Sequence, residues 1–442
     1  MLGLGLTKYI PLFLYVSLLC FSIFAFRYPN FATIIIVTLL PFKNILLKLT
    51  SYPIGKDIVD LYAIILLIML IIYRGRLFFL PKIFYIYLGY QTLLLFFAIP
   101  SFSDPWPIIQ DFKNFMLLPL FATFVYNFIR DKRDVNFFLI AISLALLYAD
   151  RTYIRNLLAH GNLGVYRDTL RDSGIFVVLG SNELATFYTY LLFLPLCLSF
   201  FVERKILKYV LFGLYTLTLI VVMFTYSRAA YLSTIAASYL LSIVLIPKTK
   251  KFFIAINACL LCVILAYNVI LPASVVQRIN MTFSNSDEFS SDITERLDKS
   301  AQQRLMLWEY SKQLILESPL IGHGFEYTRH GLIGIFRDPH NKYIETLIEG
   351  GIINLILFIS LFLTTIKKSL EFYFTFQDNI FKGIALGTFC ATIVMMISNF
   401  FGDRWTYLEL GSYYWSLLGL LFATKEIETS TEKSLSTKKQ LY

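Results

Sequence analysis

Apolar residues along this chain neither alternate with polar ones, as on a half-buried strand, nor keep to one stripe of a helix; they fill whole segments end to end. The segments fall near Tyr9–Phe26, Phe31–Leu47, Ile58–Tyr73, Ile83–Ile99, Phe112–Ile129, Val135–Tyr148, Glu183–Phe201, Ile206–Tyr226, Ala229–Ile246, Phe252–Leu271, Ile352–Ile366, Phe381–Phe400 and Tyr407–Ala423. Most approach the ~20 residues with which a helix crosses a ~30 Å hydrocarbon core. Lipid leaves no unpaired backbone group tolerable, and a barrel would show alternation, so the segments predict helices and an all-α fold. The first segment lacks a small-x-small cleavage site in "SIFAFRYPN" and is expected to be retained. Pro41 and Lys43 break the second, which is read as bent or half-spanning, so the pattern predicts about 12 crossings with both termini on the cytoplasmic side, with thirteen the alternative that the bias of Lys43, Lys48 and Lys56 favours.

Composition agrees, with 57% of residues hydrophobic and 15% charged against roughly 45–50% and about 25% in soluble domains. The net charge of +10 raises the question of a nucleic-acid partner. The basic residues are scattered over short loops between apolar segments, which is membrane topology and speaks against DNA or RNA. Cys20, Cys197, Cys259, Cys262 and Cys390 all fall inside apolar segments, so neither a disulfide framework nor a zinc site is expected.

The basic runs "RDKRD", "ERKILK", "PKTKK" and "KKSLEFYFTFQDNIFK" fall on one side of the alternation, with the polar tail after Thr424, and the positive-inside rule makes that side cytoplasmic. The chain divides into membrane helices over 1–271, an external loop or lobe over 272–350, further membrane helices over 351–424 and a disordered cytoplasmic tail over 425–442. Within the lobe, "NMTFSNSDEFSSDITERLDKS" reads as a polar loop and "SAQQRLMLWEYSKQLILES" as an amphipathic helix with Leu307, Trp308, Leu314 and Ile315 on one face.

The candidate chemistry collects on the external side. In "FRDPHNKYIETLIEGG" Asp338 reads as an N-cap, Pro339 as the first helical position, and His340 and Asn341 as the first turn. The positive end of a helix disfavours imidazolium and so favours the neutral ring that a general base needs. Asn341, Glu345 and Glu349 follow at helical spacing, running a polar stripe down into a crossing, where ionisable groups are expensive. Arg228, in the short external break of "FTYSRAAYL", and Arg304, on the lobe helix, supply guanidinium forks suited to phosphate oxygens. Arg151, Arg155, Arg167 and Arg171 make a basic external loop, partly neutralised by Asp168 and Asp172. Glu183 opens a crossing where it can orient an arginine, and Asp403-Arg404 in "FGDRW" reads as a local ion pair. His160, His323 and His330 lack comparable context. No Asp-x-Asp pair, P-loop or zinc spacing calls for a metal or other cofactor.

The segments "YSRAAYLS", "RLMLWEYSKQLILESPLIGHGF" and "DPHNKYIETLIEGGIINL" resemble, in order and position, motifs of the O-antigen ligase and polymerase superfamily of polytopic glycosyltransferases. The resemblance is best over about Gly180 to Ala423, including "GSNELATFYTYLLFLPLCL". It implies a GT-C-like enzyme of the bacterial inner membrane with its active site facing the periplasm. Such an enzyme transfers a glycan from an undecaprenyl-pyrophosphate carrier to a sugar hydroxyl of the lipid A core, inverting the anomeric centre without a metal. The family's functional residues fall on Arg228, Arg304 and His340, with Ser-Arg-Ala-Ala in place of the common Ser-Arg-Gly or Ser-Arg-Thr. A polymerase lengthening the carrier-linked glycan would use the same three residues, with a growing glycan as acceptor. A transporter of the lipid-linked sugar is the alternative from another class, and no internal repeat with paired broken helices supports it.

Overall fold

A computed structural model describes residues 10–42, 58–102, 104–159, 164–167, 171, 174–176, 179–245, 250–281, 299–330 and 339–440. The described residues contain helices and no strand. In chain order they are α1 (Ile10–Arg27), α2 (Pro29–Leu39), α3 (Ile58–Ile72), α4 (Lys82–Ala98), α5 (Trp106–Phe128), α6 (Lys132–Ala159), α7 (Ser181–Phe201), α8 (Lys205–Phe224), α9 (Arg228–Leu245), α10 (Lys250–Ile270), α11 (Ala273–Asn280), α12 (Lys299–Glu317), α13 (Tyr327–His330), α14 (Lys342–Thr375), α15 (Asn379–Asn399) and α16 (Leu408–Gln440). Each apolar segment of the sequence overlaps one of these helices. Eight among the described residues are long and apolar enough to cross a membrane, namely α4 to α9, α14 and α15, with shorter apolar helices at Val16–Arg27, Pro29–Phe42 and Val59–Ile72. This is a multi-pass membrane protein. The second segment is bent as expected, passing from α2 into a 3-10 turn at Leu40–Phe42 around Pro41.

Helices α7 and α15 form the centre of the bundle and are buried over most of their length, whereas α8 is largely exposed to lipid. Small residues let the central pair approach closely, as is usual where helices pack in lipid. A Cβ on Gly383 would stand 3.1 Å from Leu198 Cα, and one on Gly387 3.2 Å from Leu194 Cα. Those two contacts also fix the pair as antiparallel, so the Asn399 end of α15 lies beside the Ser181 end of α7. Helix α16 uses the same device on α5, with Gly419 against the Ala122 carbonyl.

At the opposite end of the bundle the sequence expectation of a disordered tail is corrected, because α16 continues as helix to Gln440. The cause is docking. Glu428 accepts hydrogen bonds from the Gln377 and Asp378 amides at 2.7 and 2.9 Å, and Glu426 pairs with Arg76 at 3.1 Å. Composition alone registers the charges of this run and not these partners. The expectations for Lys43, Lys48, Lys56, Pro247, Lys248 and Thr249 of the basic run "PKTKK", His160, Asp168, Asp172, most of the Ser/Asp-rich stretch and Asp338 lie outside the described residues.

Candidate functional site

One end of the bundle gathers the start of α7, the end of α8, the start of α9, the start of α14 and the turn between α15 and α16. Tyr153 of α6 donates to the Phe224 carbonyl at 2.7 Å, and Thr218 of α8 to Asp150 of α6 at 2.7 Å, so α6 also ends here. Arg228 is the first residue of α9 and follows a turn in which Tyr226 takes φ +54.

The start of α14 differs from the sequence reading. Asn341 caps the helix, its carboxamide oxygen accepting from the Tyr343 and Ile344 amides at 3.0 and 3.2 Å. Pro339 and His340 precede the helix, and His340 holds φ +49. A short carboxamide two and three residues ahead of the first free amides satisfies them as well as the aspartate expected to do so, and it moves the helix start downstream. His340 therefore stands exposed just outside the first turn, not within it. Its backbone is held from the lobe helix, since the Trp308 indole donates to the Pro339 carbonyl at 2.8 Å while its ring packs edge-on to Phe400. Arg304 lies one turn earlier than Trp308, on the same side of α12. The amphipathic reading of that helix holds, with Leu307, Trp308, Leu314 and Ile315 all half-buried.

Two turns further on, α14 breaks. Gly350 and Gly351 leave helical geometry, Gly351 with φ +61. The loop after α12, "SPLIGHGF", enters the break and pairs the backbone groups it frees. The His323 amide donates to the Ile348 carbonyl at 2.9 Å, the Gly324 amide to the Glu349 carbonyl at 2.8 Å, and the Ile352 amide to the Pro319 carbonyl at 2.9 Å. Tyr90 of α4 donates to the Gly350 carbonyl at 2.9 Å. A break in a membrane helix is tolerated where protein re-satisfies its backbone, as here. The approach needs glycine: a Cβ on Gly322 would meet the Glu349 carbonyl carbon at 2.4 Å, and one on Gly351 the Leu320 backbone at 2.2 Å.

Between the helix start and the break lies an ionic cluster whose carboxylates and lysine are buried and whose Arg329 reaches the surface. Lys342 pairs with Glu345 at 2.9 Å and with Asp403 at 3.5 Å, and Arg329 pairs with Asp403 at 3.3 Å and with Glu326 at 3.2 Å. Glu349 shares the cluster, with one oxygen unpaired among the described residues. Oxygens of Glu326, Glu345 and Glu349 lie within 4.8 Å of one another, the spacing of a group able to share a cation. The Lys342 ammonium supplies positive charge among them. Burial alone would raise the Asp403 carboxyl, but Lys342 and Arg329 outweigh it and hold the group down to about 2. Burial raises Glu326, which Arg329 only partly offsets, and the same Glu326 is the main reason Arg329 is raised.

Asp403 and Arg404 do not form the local pair expected from their adjacency. Asp403 turns to Arg329, Lys342 and Thr406, whereas Arg404 turns to Glu183 at 2.5 Å. Successive residues in an extended turn point to opposite sides. Glu183 does orient an arginine, and that arginine is Arg404. Arg171 donates to Asn182 at 2.9 Å, next to Glu183, while Arg167 is exposed. The Trp308 bond ties α12, which carries Arg304, to the residue before His340, Asn341 caps α14, and Glu183 and the Asn182 partner of Arg171 lie at the start of α7. His323 stacks on Tyr327 and His330 meets Asp111 at 2.9 Å. Sequence reasoning passed over Glu326, Arg329 and Lys342. Only Lys342 carried a signal: a lysine at the mouth of a crossing that also holds two glutamates requires buried pairing.

Fold and site together define a polytopic helical membrane protein with a polar site where several crossings end. Residues 213–359 match a family model described as O-antigen ligase. Over these residues, roughly a third of its length, the chain is similar to O-antigen ligases. Arg228, Arg304 and His340 all fall inside the matched residues. No curated protein matches the chain.

Proposed function

We propose that the protein is a glycan ligase that moves a glycan from an undecaprenyl-pyrophosphate carrier to a sugar hydroxyl of the lipid A core at the periplasmic face of the inner membrane. The observation that supports this reading is the bond from Trp308 of α12 to the carbonyl of Pro339, the residue before His340, with Arg304 one turn away from Trp308 on the same helix. In the proposed reaction the His340 imidazole takes the proton of the acceptor hydroxyl. The hydroxyl oxygen forms the new bond to the anomeric carbon from the face opposite the phosphate. The bond from that carbon to the pyrophosphate oxygen breaks, and its electron pair leaves with the carrier pyrophosphate. Arg228 and Arg304 balance the charge that develops there, which two permanently charged forks can do without a metal. Arg167 and Arg171 draw the donor toward the site. Asn341, the residue after His340, is fixed by capping the helix, and Glu183 holds Arg404.

The basic end of the bundle, with Arg130, Lys132, Lys205 and Lys382, supports a cytoplasmic assignment for that end and hence an external one for the site. The test is a deletion of the gene followed by gel analysis of surface polysaccharide. Full-length chains accumulating on the carrier, with none on lipid A, support the ligase. Lipid A core capped with a single repeat would replace it with a polymerase.

A further inference from the structure

At the end of the bundle opposite His340 the turn after α3, the C-terminus of α5 and the Ala423–Ser430 part of α16 enclose a cavity of about 280 Å³. Arg74, Arg76 and Arg130 line it, against one carboxylate, Glu426, which Arg76 meets at 3.1 Å. Asn127 ties two of the arginines down, one through its side chain and one through its backbone carbonyl. Asn127 accepts from the Arg76 amide at 2.7 Å and donates to the Arg76 carbonyl at 2.9 Å, and Arg130 Nε donates to the Asn127 carbonyl at 2.9 Å. Arg74 holds φ +49, a conformation that costs any side chain beyond glycine and persists where surroundings enforce it. Its guanidinium makes no hydrogen bond or ion pair to another described residue, whereas Arg130 already serves a carbonyl of the α5 C-terminus. Tyr126 and Ser430 add hydroxyl groups to the lining.

The surroundings name the kind of ligand. Ile71, Ile72, Tyr73, Leu77 and Phe78, immediately around the arginine turn, are exposed. A ligand here meets guanidinium forks at the membrane boundary and an apolar surface beside them. Forks select phosphate oxygens, and the apolar surface selects hydrocarbon. We propose that this cavity binds the phosphate of an anionic membrane lipid, with its acyl chains lying along the exposed Ile71, Ile72 and Phe78. The site lies apart from His340, and none of its residues takes part in the proposed transfer.

The test measures lipid binding by native mass spectrometry and by thermal midpoint, using the full chain purified in detergent. Phosphatidylglycerol is expected to bind the wild type at least ~10-fold more tightly than phosphatidylcholine and to raise its midpoint. Arg74→Gly removes a guanidinium while suiting the positive φ, so the chain should fold and melt as wild type in phosphatidylcholine yet lose most of the phosphatidylglycerol preference. Arg130→Gln should do the same independently, and Arg133→Gln, whose guanidinium instead lies over Phe137, should change nothing. Unchanged phosphatidylglycerol preference in both cavity variants would overturn the site. Inorganic phosphate giving the same shift as phosphatidylglycerol at equal concentration would overturn the lipid as the source of the phosphate.

Discussion

His340 is held in a left-handed backbone conformation between two fixed points, the Asn341 cap and the Trp308 bond to Pro339. His340→Ala is expected to lower glycan transfer by ~10² to 10⁴-fold with carrier binding retained, measured with purified protein and lipid-linked donor. His340→Gln keeps a hydrogen-bonding side chain but takes up no proton, so transfer near the wild-type rate would reassign the base, with Glu183 the next candidate. Arg228→Lys and Arg304→Lys keep the charge and lose the fork, and each should reduce transfer by more than ~10-fold at equal protein level. Asp403 gives a pH prediction. Its carboxyl is held down to about 2, so its contribution is complete above the ordinary value near ~3.9 and is lost as pH falls toward 2. The loss amounts to about 2 kcal/mol on the acid limb of an unfolding curve. Raised Glu326 has the opposite sign, since its burial penalty is relieved as the solution becomes acidic. Asp403→Asn removes one carboxylate from both Arg329 and Lys342, which keep Glu326 and Glu345, and should destabilise by about 2 kcal/mol at neutral pH with a shallower acid limb; an unchanged midpoint at pH 7 would show that the cluster does not depend on it.

At the scale of elements, the helices were legible because a crossing must be apolar for its whole length, and the stripe of Asn341, Glu345 and Glu349 was legible because helical spacing is a local property. The helix start was misplaced by one cap, since Asp338 and Asn341 are both good caps and sequence does not rank them. The ionic cluster was not legible: Glu326, Arg329, Lys342 and Asp403 come from three separate parts of the chain, and no spacing rule joins residues that meet only after folding. The break in α14 was half visible, as a glycine pair. What fills it depended on a loop whose glycines had marked only a turn. Gly351→Ala puts a Cβ against the Leu320 backbone at a φ of +61 and is expected to cost several kcal/mol, about 2 or more, read as a lower midpoint or failure to accumulate. Gly213→Ala, in the exposed α8 with nothing near the added carbon, should be neutral or stabilise by up to about 1 kcal/mol.

For the whole molecule, orientation decides which side every site residue faces. A cysteine placed at Ser290 should react with a membrane-impermeant thiol reagent in cells whose outer membrane alone is permeabilised, and one at Ser434 only after lysis, both in a background lacking Cys20, Cys259 and Cys262. Labelling of the Ser434 position in unlysed cells would reverse the assignment. The antiparallel run of α7 against α15 then carries a simple implication: the two ends of the bundle are separated by the full length of the central pair, roughly 30 Å for helices of 21 residues. The arginine cavity and His340 thus report on opposite membrane boundaries.

The loop in the α14 break also turns α12 into a lever. Its Glu317 end continues directly into backbone hydrogen-bonded to α14, whereas its other end is tied through Trp308 alone among the bonds described above. Arg304 lies 13 residues from Glu317, about 20 Å along the axis. A tilt of about 10° around the anchored end would carry Arg304 roughly 3 Å sideways, enough to release the Trp308 bond, while the anchored end barely moves. If the donor enters beside His340 as proposed, a small swing of this one rod about a fulcrum set in a broken helix would make room for it without melting the bundle.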